Sequence, residues 1–408
     1  MKRRVFLQLA SLLSASGIIS VGSHGLVAKE LVETNNRQKL IVVFLRGGVD
    51  GLNVVIPYQE DVYYDVRPKI AIPAPGEENG AINLDGQFGL HPALASIMPF
   101  WKNRSLAFIH ACGLNNDTRS HFDAQYYMET GIPGNKKIPD GWMNRLLANL
   151  PKDRPTQAVN LGDTPPRILM GEMSVASLPR GRKSTRSLPI DRPKVYAAFD
   201  RLYSGNDELS QVYQEGRQAR DLLLADLEKE MEEASAGAPP PRGFASDAKN
   251  LAEIMVGDSR TQLGFLALGG WDTHVNQGNS KGLLARRLKP LGEGLVTLVE
   301  ELGSLYSNTV ILVMSEFGRT VKENGNGGTD HGHGNVMWVL GGAVRGGQVY
   351  GEWPGLEESE LFQKRDLTVT TDFRNPIASI FEQHFGLNQS QIAQLFPGYD
   401  FNQRLPLL

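Results

Sequence analysis

Five apolar runs of strand length punctuate the chain, each closed by glycine or by polar side chains. Residues 39–45 read Lys-Leu-Ile-Val-Val-Phe-Leu, and 105–111, 262–268, 309–314 and 336–340 repeat the format. A run without polar alternation predicts a strand buried on both faces, as in a parallel sheet. Between the runs the apolar positions take a helical period. It is clearest over 281–306, where Leu284, Leu288, Leu291, Leu295 and Leu298 return to one side. Strands alternating with helices predict an α/β fold with an open central sheet and helices on both faces. The residues after 118–123 predict a helix running to Thr130 and stopping at Gly131.

From 154 to 243 the pattern weakens. Residues 180–186 are basic and polar, 193–233 are charged with Leu222, Leu223, Leu224 and Leu227 as a buried stripe, and 236–242 hold three successive prolines. This predicts a partly helical insertion over about 165–243 within a single domain covering 36–408.

The N-terminus follows a different pattern. Lys2-Arg3-Arg4 precedes an apolar run over 9–21 that is too short and too mild to span a membrane. Residues 1–30 therefore read as a twin-arginine signal peptide, with the translocase as a transient partner and a periplasmic or secreted destination. Composition adds exclusions. With 41% hydrophobic residues, 21% charged residues and a net charge of -3, nothing points to nucleic acid or to a stable membrane span. Cys112 is the only cysteine, which rules out an intramolecular disulfide, and its neighbours Ala111 and Gly113 give it the character of a small buried hydrophobe.

Candidate chemistry collects just past the apolar runs, where open α/β sheets bind ligands. Asp50 follows the first run, Asp272 and His274 follow 262–268, and Glu316 follows 309–314. The loop 326–335, Asn-Gly-Gly-Thr-Asp-His-Gly-His-Gly-Asn, carries Asp330, His331 and His333, two of the eight histidines. Its four glycines free the backbone to aim these side chains. Imidazole with carboxylate suits zinc, manganese or iron. Several carboxylates facing one crevice call for compensating cations, and two ions about 3.5 to 4 Å apart would hold an oxyanion ester. Ser120 falls at the helix N-terminus, as cap or as nucleophile, and Arg119 and Arg319 are candidates for a bidentate anion contact.

The segments 46–53, 118–125, 270–274, 315–320 and 329–334 together resemble the bacterial family catalogued as domain of unknown function 1501, over nearly all of the mature chain. The resemblance implies a branch of the alkaline phosphatase and sulfatase superfamily: a three-layer sandwich with a mostly parallel central sheet. By position it implies one metal site at Asp272 and His274 with His331 or His333, and a second at Asp50 and Glu316. It puts the nucleophile slot at Ser120 or His121, and makes Asp330 a metal-site or orienting carboxylate. The implied activity is metal-dependent hydrolysis of a small anionic phosphate or sulfate ester, with two divalent ions of zinc, manganese or calcium. Phe317 stands where the superfamily pattern has a ligand histidine. That departure favours the alternative of a non-catalytic periplasmic metal-binding or assembly protein that retains the fold.

Overall fold

The computed structural model describes residues 37–150, 158–162, 165–178, 233–258 and 261–408. In chain order the strands are β1 (Lys39–Leu45), β2 (Val55–Ile56), β3 (Ile82–Asn83), β4 (Gly89–Leu90), β5 (Leu106–Gly113), β6 (Ala158–Leu161), β7 (Ala176–Leu178), β8 (Leu263–Leu268), β9 (Thr309–Ser315), β10 (Asn335–Gly341), β11 (Val349–Tyr350) and β12 (Thr371–Asp372). The α-helices are α1 (Asp61–Asp65), α2 (Met98–Lys102), α3 (His121–Thr130), α4 (Trp142–Asn149), α5 (Phe244–Gly257), α6 (Leu283–Leu302), α7 (Arg374–Phe385) and α8 (Gln389–Leu395). The five apolar runs form β1, β5, β8, β9 and β10.

The main sheet has the order β11-β5-β10-β9-β1-β8-β6-β7, with β12 also on β5. The long central strand β1 shows why its sequence carries no polar alternation. Leu40, Val42 and Phe44 enter a core with Met128 of α3, Leu146 of α4 and Phe381 of α7. Ile41, Val43 and Leu45 enter a second core with Leu251 of α5 and Leu288 of α6. Both faces are covered, so every side chain from Leu40 to Leu45 adds hydrophobic stabilisation, about 1.5 to 3 kcal/mol for each fully buried one. The result is the expected three-layer α/β sandwich.

Strand β1 runs parallel to β8 and β9, and β6 runs parallel to β8 and β7. Only β10 reverses, lying antiparallel to both β9 and β5. This reversal positions the histidine loop. Residues before a parallel strand would emerge at the opposite edge of the sheet. Because β10 runs backwards, its first residue Asn335 pairs with Cys112 near the end of β5, and the loop ahead of it joins the segments that leave β8 and β9.

Strand β7 pairs with β6 in the main sheet, so the stretch expected as an insertion from about 165 begins as sheet. Residues 179–232, with the basic segment and the leucine stripe, lie outside the described residues, as do 1–36. No helix among the described residues is long and apolar enough to cross a membrane. Cys112 is buried, and burial pushes its thiol well above the ordinary range.

Candidate metal centre

Four side chains from three segments meet at the carboxyl edge of the sheet. His121 opens α3, Asp272 and His274 lie on the segment after β8, and His331 lies on the loop before β10. Ligand atoms of His121, Asp272 and His331 all fall within 4.8 Å of one another. The His331 Nε2 is 3.0 Å from the Nε2 of His121 and 3.0 Å from that of His274. His274 Nε2 is 2.9 Å from Asp272 Oδ1. A tetrahedron of ligands around a zinc-sized ion has edges of about 3.3 Å, which is the scale of these separations.

The imidazole tautomers follow from what holds each outer nitrogen. His121 Nδ1 donates to Glu316 Oε1 at 2.7 Å, His274 Nδ1 to Asp330 Oδ1 at 3.2 Å, and His331 Nδ1 to the Arg119 carbonyl at 2.9 Å. With Nδ1 carrying the proton, each Nε2 lone pair faces inward, the arrangement found around metal-ligating histidines. Three Nε2 atoms converging on one point need a proton or a cation between them. Asp272 adds a second sign: its buried Oδ2 has no hydrogen-bond partner and sits 3.6 Å from His121 Nε2.

The electrostatics agree. Burial alone would raise the Asp272 carboxyl, but the neighbouring imidazoles of His121, His274 and His331 and the Arg319 charge outweigh it and hold the group well below the carboxylate range. Burial works against a charged His121, yet its bond to Glu316 and the charges of Glu316 and Asp272 raise it to about 9. In the metal-free protein a proton on His121 thus does part of the work of a cation. Burial keeps His331 below its ordinary value.

Glu316, expected as a ligand, instead holds one of the clustered imidazoles by a hydrogen bond. Its Oε1 accepts from Gly47 N, His121 Nδ1 and Gln125 Nε2, and its Oε2 accepts from the Ser315 hydroxyl. Burial raises this carboxyl, and the bond from His121 leads the terms that bring it below its usual value. Asp330 is exposed and reaches the cluster only through His274. Phe317 packs against the rings of His121 and His331, so it supports the imidazoles where a ligand was expected.

Other expected residues lie elsewhere. Both oxygens of Asp50 are taken, Oδ2 at 2.7 Å and Oδ1 at 3.1 Å from the Arg67 guanidinium, and Gln277 Nε2 donates to Oδ2 at 2.6 Å. Asp50 and Arg67 are fully buried, so a guanidinium occupies the place expected for a second ion, and these donors do not fit one. Arg319 is also fully buried and binds Asp272 Oδ1 at 2.6 Å, leaving it no reach toward a substrate. Ser120 is the exposed N-cap of α3, accepting from Asp123 N at 3.4 Å. Arg119 clasps Asp366 at 2.7 Å. His333 stacks on Phe362 at 4.3 Å, away from the cluster, and burial lowers it to about 4.

Arg67, Gln277 and Gln125 were invisible to sequence reasoning. Arg67 stands before Pro68 in an unpatterned stretch, and the two glutamines carry no motif. Gln277 Oε1 accepts from Thr273 and Thr329, and Thr329 Oγ1 accepts from Arg319 Nε, so a continuous chain of bonds links Asp50 to Asp272. The loop glycines also have another role than free rotation. A Cβ on Gly332 would come within 2.4 Å of the Arg319 backbone, so the residue permits close approach of the loop to that chain.

Among solved structures, the chain is similar to Ps i-CgsB in complex with k-i-k-neocarrahexaose, at 12% identity, covering 87% of this chain and 74% of that one with a TM-score of 0.39. It is similar to the zinc complex of the C-terminal periplasmic domain of EcEptC from Escherichia coli, at 9% identity, 76% and 74% coverage and a TM-score of 0.37. A third is BT1596, a 2-O GAG sulfatase, at 8% identity, 91% and 76% coverage and a TM-score of 0.37. No curated protein matches the chain. The model of the family described as protein of unknown function (DUF1501) matches residues 37–396, and the chain belongs to that family.

Proposed function

We propose that this protein is exported by a twin-arginine signal over residues 1–30, carries one transition-metal ion on His121, His274, His331 and Asp272, and hydrolyses a small phosphate or sulfate ester there. The observation that carries the reading is that all three histidines have Nδ1 held by an acceptor and Nε2 directed at the others. The donor set of imidazole and carboxylate suits zinc or manganese. A bound ion of this kind supplies Lewis acidity toward an ester oxyanion.

The chain's own groups have distinct tasks. Glu316 and Asp330 fix the tautomers of His121 and His274, and Arg319 fixes the Asp272 carboxylate. The partly exposed guanidiniums of Arg119 and Arg365 lie at the rim, where they attract an anion. With Ser120 acting as a cap, water is the nucleophile in this reading. The sealed Asp50–Arg67 pair and the capping role of Ser120 favour a second reading, a metal-binding or assembly protein without turnover.

Elemental analysis of protein purified without a nickel column, combined with a panel of phosphate and sulfate esters, tests both. One equivalent of metal, with turnover lost in His331→Ala, supports the hydrolase. One equivalent without turnover across the panel supports the second reading. A metal-free wild type, or two equivalents per chain, overturns the single centre.

A further inference from the structure

The fully or nearly buried arginines of this protein come with carboxylates: Arg46 with Glu129 at 2.5 Å, Arg67 with Asp50 at 2.7 Å and Arg319 with Asp272 at 2.6 Å. Arg287, half-buried on the second turn of α6, has no such partner among the described residues. Its Nη1 is shut off from solvent and makes no hydrogen bond, and no carboxylate pairs with its guanidinium among the described residues. The guanidinium lies flat on the chain at Gly270, two residues before Asp272. A Cβ at that position, where φ is +86°, would stand 3.1 Å from Cζ and 3.3 Å from Nε and Nη2. Glycine therefore lets the cation approach the segment that carries two of the metal-binding side chains.

A guanidinium nitrogen closed off from water without a hydrogen bond is costly. Burial lowers Arg287 to about 10, with the Asp272 charge offsetting part of the effect, so the group stays cationic at neutral pH. A methionine of similar length would fill the same space without that cost. Charge balance points the same way. Around the centre, the carboxylates of Asp272, Glu316 and Asp330 face the guanidiniums of Arg319 and Arg287, and a divalent ion leaves one positive charge over.

We infer that Arg287 is an anion-binding residue, which takes the phosphate or sulfate oxyanion of a ligand beside the metal centre. Its identification with an ester's charged head rests on the hydrolase reading above; the anion site itself does not. Planar recognition of a tetrahedral oxyanion by two parallel N–H donors is the chemistry a guanidinium offers and an ammonium does not.

The test follows the melting midpoint of the full chain, metal-loaded and chelator-treated, as inorganic phosphate or sulfate replaces chloride at constant ionic strength. Wild type, Arg287→Met and Arg287→Lys are compared. The wild-type midpoint rises saturably with either oxyanion. Arg287→Met melts at or above wild type in chloride alone, since it removes a half-buried charge that has no carboxylate partner, and binds the oxyanions at least about tenfold more weakly. Arg287→Lys keeps the charge but loses the fork, and falls between the two. An Arg287→Met protein that responds to the anions as wild type does, or that melts below wild type in chloride, overturns the proposal. If Arg287→Met fails to fold, that also counts against it, as a structural cation. An Arg287-dependent response in protein that binds no metal keeps the anion site and removes the metal reading.

Discussion

Two buried carboxylates sit just past strands of the same sheet, Asp50 after β1 and Asp272 after β8, and their surroundings send them to different uses. Asp50 has both oxygens satisfied by Arg67 and a third bond from Gln277. Asp272 has one oxygen fixed by Arg319, while the other is buried without a hydrogen bond and faces His121. The first is a closed ion pair; the second is half of one, completed by imidazoles. A strand-end carboxylate is therefore available to a metal only when its neighbours leave an oxygen free, and the sequence around Asp50 carries no trace of Arg67's position in space.

The sharpest way to break this contrast is to remove each carboxylate's charge. Asp272→Asn loses a ligand and strands the buried Arg319 guanidinium, so metal content falls to near zero and the metal-free protein loses about 3 to 5 kcal/mol of stability. Asp50→Asn strands Arg67 and costs a similar amount, about 3 to 5 kcal/mol, yet retains its metal. Elemental analysis with urea unfolding checks both. Metal lost from Asp50→Asn in protein that is still folded would return Asp50 to the ligand set.

The two regions also differ in how much of them could be read beforehand. The apolar runs of β1, β5, β8, β9 and β10 gave themselves away because burial on both faces demands unbroken hydrophobicity, whereas two-residue strands such as β11 and β12 leave no pattern. At the site, Asp272, His274 and His331 were legible as candidates because metal chemistry restricts the residue types. The choice of His331 over His333 was not, because a glycine loop has no fixed period and the outcome depends on Phe362 stacking on the latter. His121 against Ser120 turned on a single residue of helix phase, and the structure has His121 in the cluster and Ser120 at the helix cap. Arg67, Arg319 and Gln277 act through a network of distant contacts, which no local spacing encodes.

A smaller effect separates the regions by pH. His121 is raised to about 9 in the metal-free protein, above its ordinary 6.5. Its contribution to stability is therefore fully present below about pH 6.5 and is lost as pH rises through about 9. Metal binding must expel this proton, so apparent affinity increases about tenfold per pH unit up to about pH 9, roughly a hundredfold from pH 7 to 9. Competition with a chromophoric chelator measures it. A flat profile over that range would mean that the ion does not displace the proton of His121. Asp50 makes no contact with the histidine cluster, so Asp50→Asn leaves the slope unchanged.

The smallest expected effect decides the role of the residue nearest the centre in sequence. Ser120 precedes His121, but its hydroxyl is exposed and accepts a long 3.4 Å bond from Asp123 N, so it starts the helix that aims the imidazole without facing the cluster. A cap with so long a bond belongs at the weak end of its class, and Ser120→Ala costs about 0.5 kcal/mol of stability. Metal content stays at one equivalent, because Glu316 and the helix still hold His121. Any ester turnover found in the wild type also persists within about twofold, since 0.5 kcal/mol is about a factor of two in rate or equilibrium. A serine that attacked the ester would instead take turnover with it by several orders of magnitude. The same variant therefore separates a helix that merely presents its first imidazole from one that also supplies the nucleophile, and the capping role proposed for Ser120 predicts the first outcome.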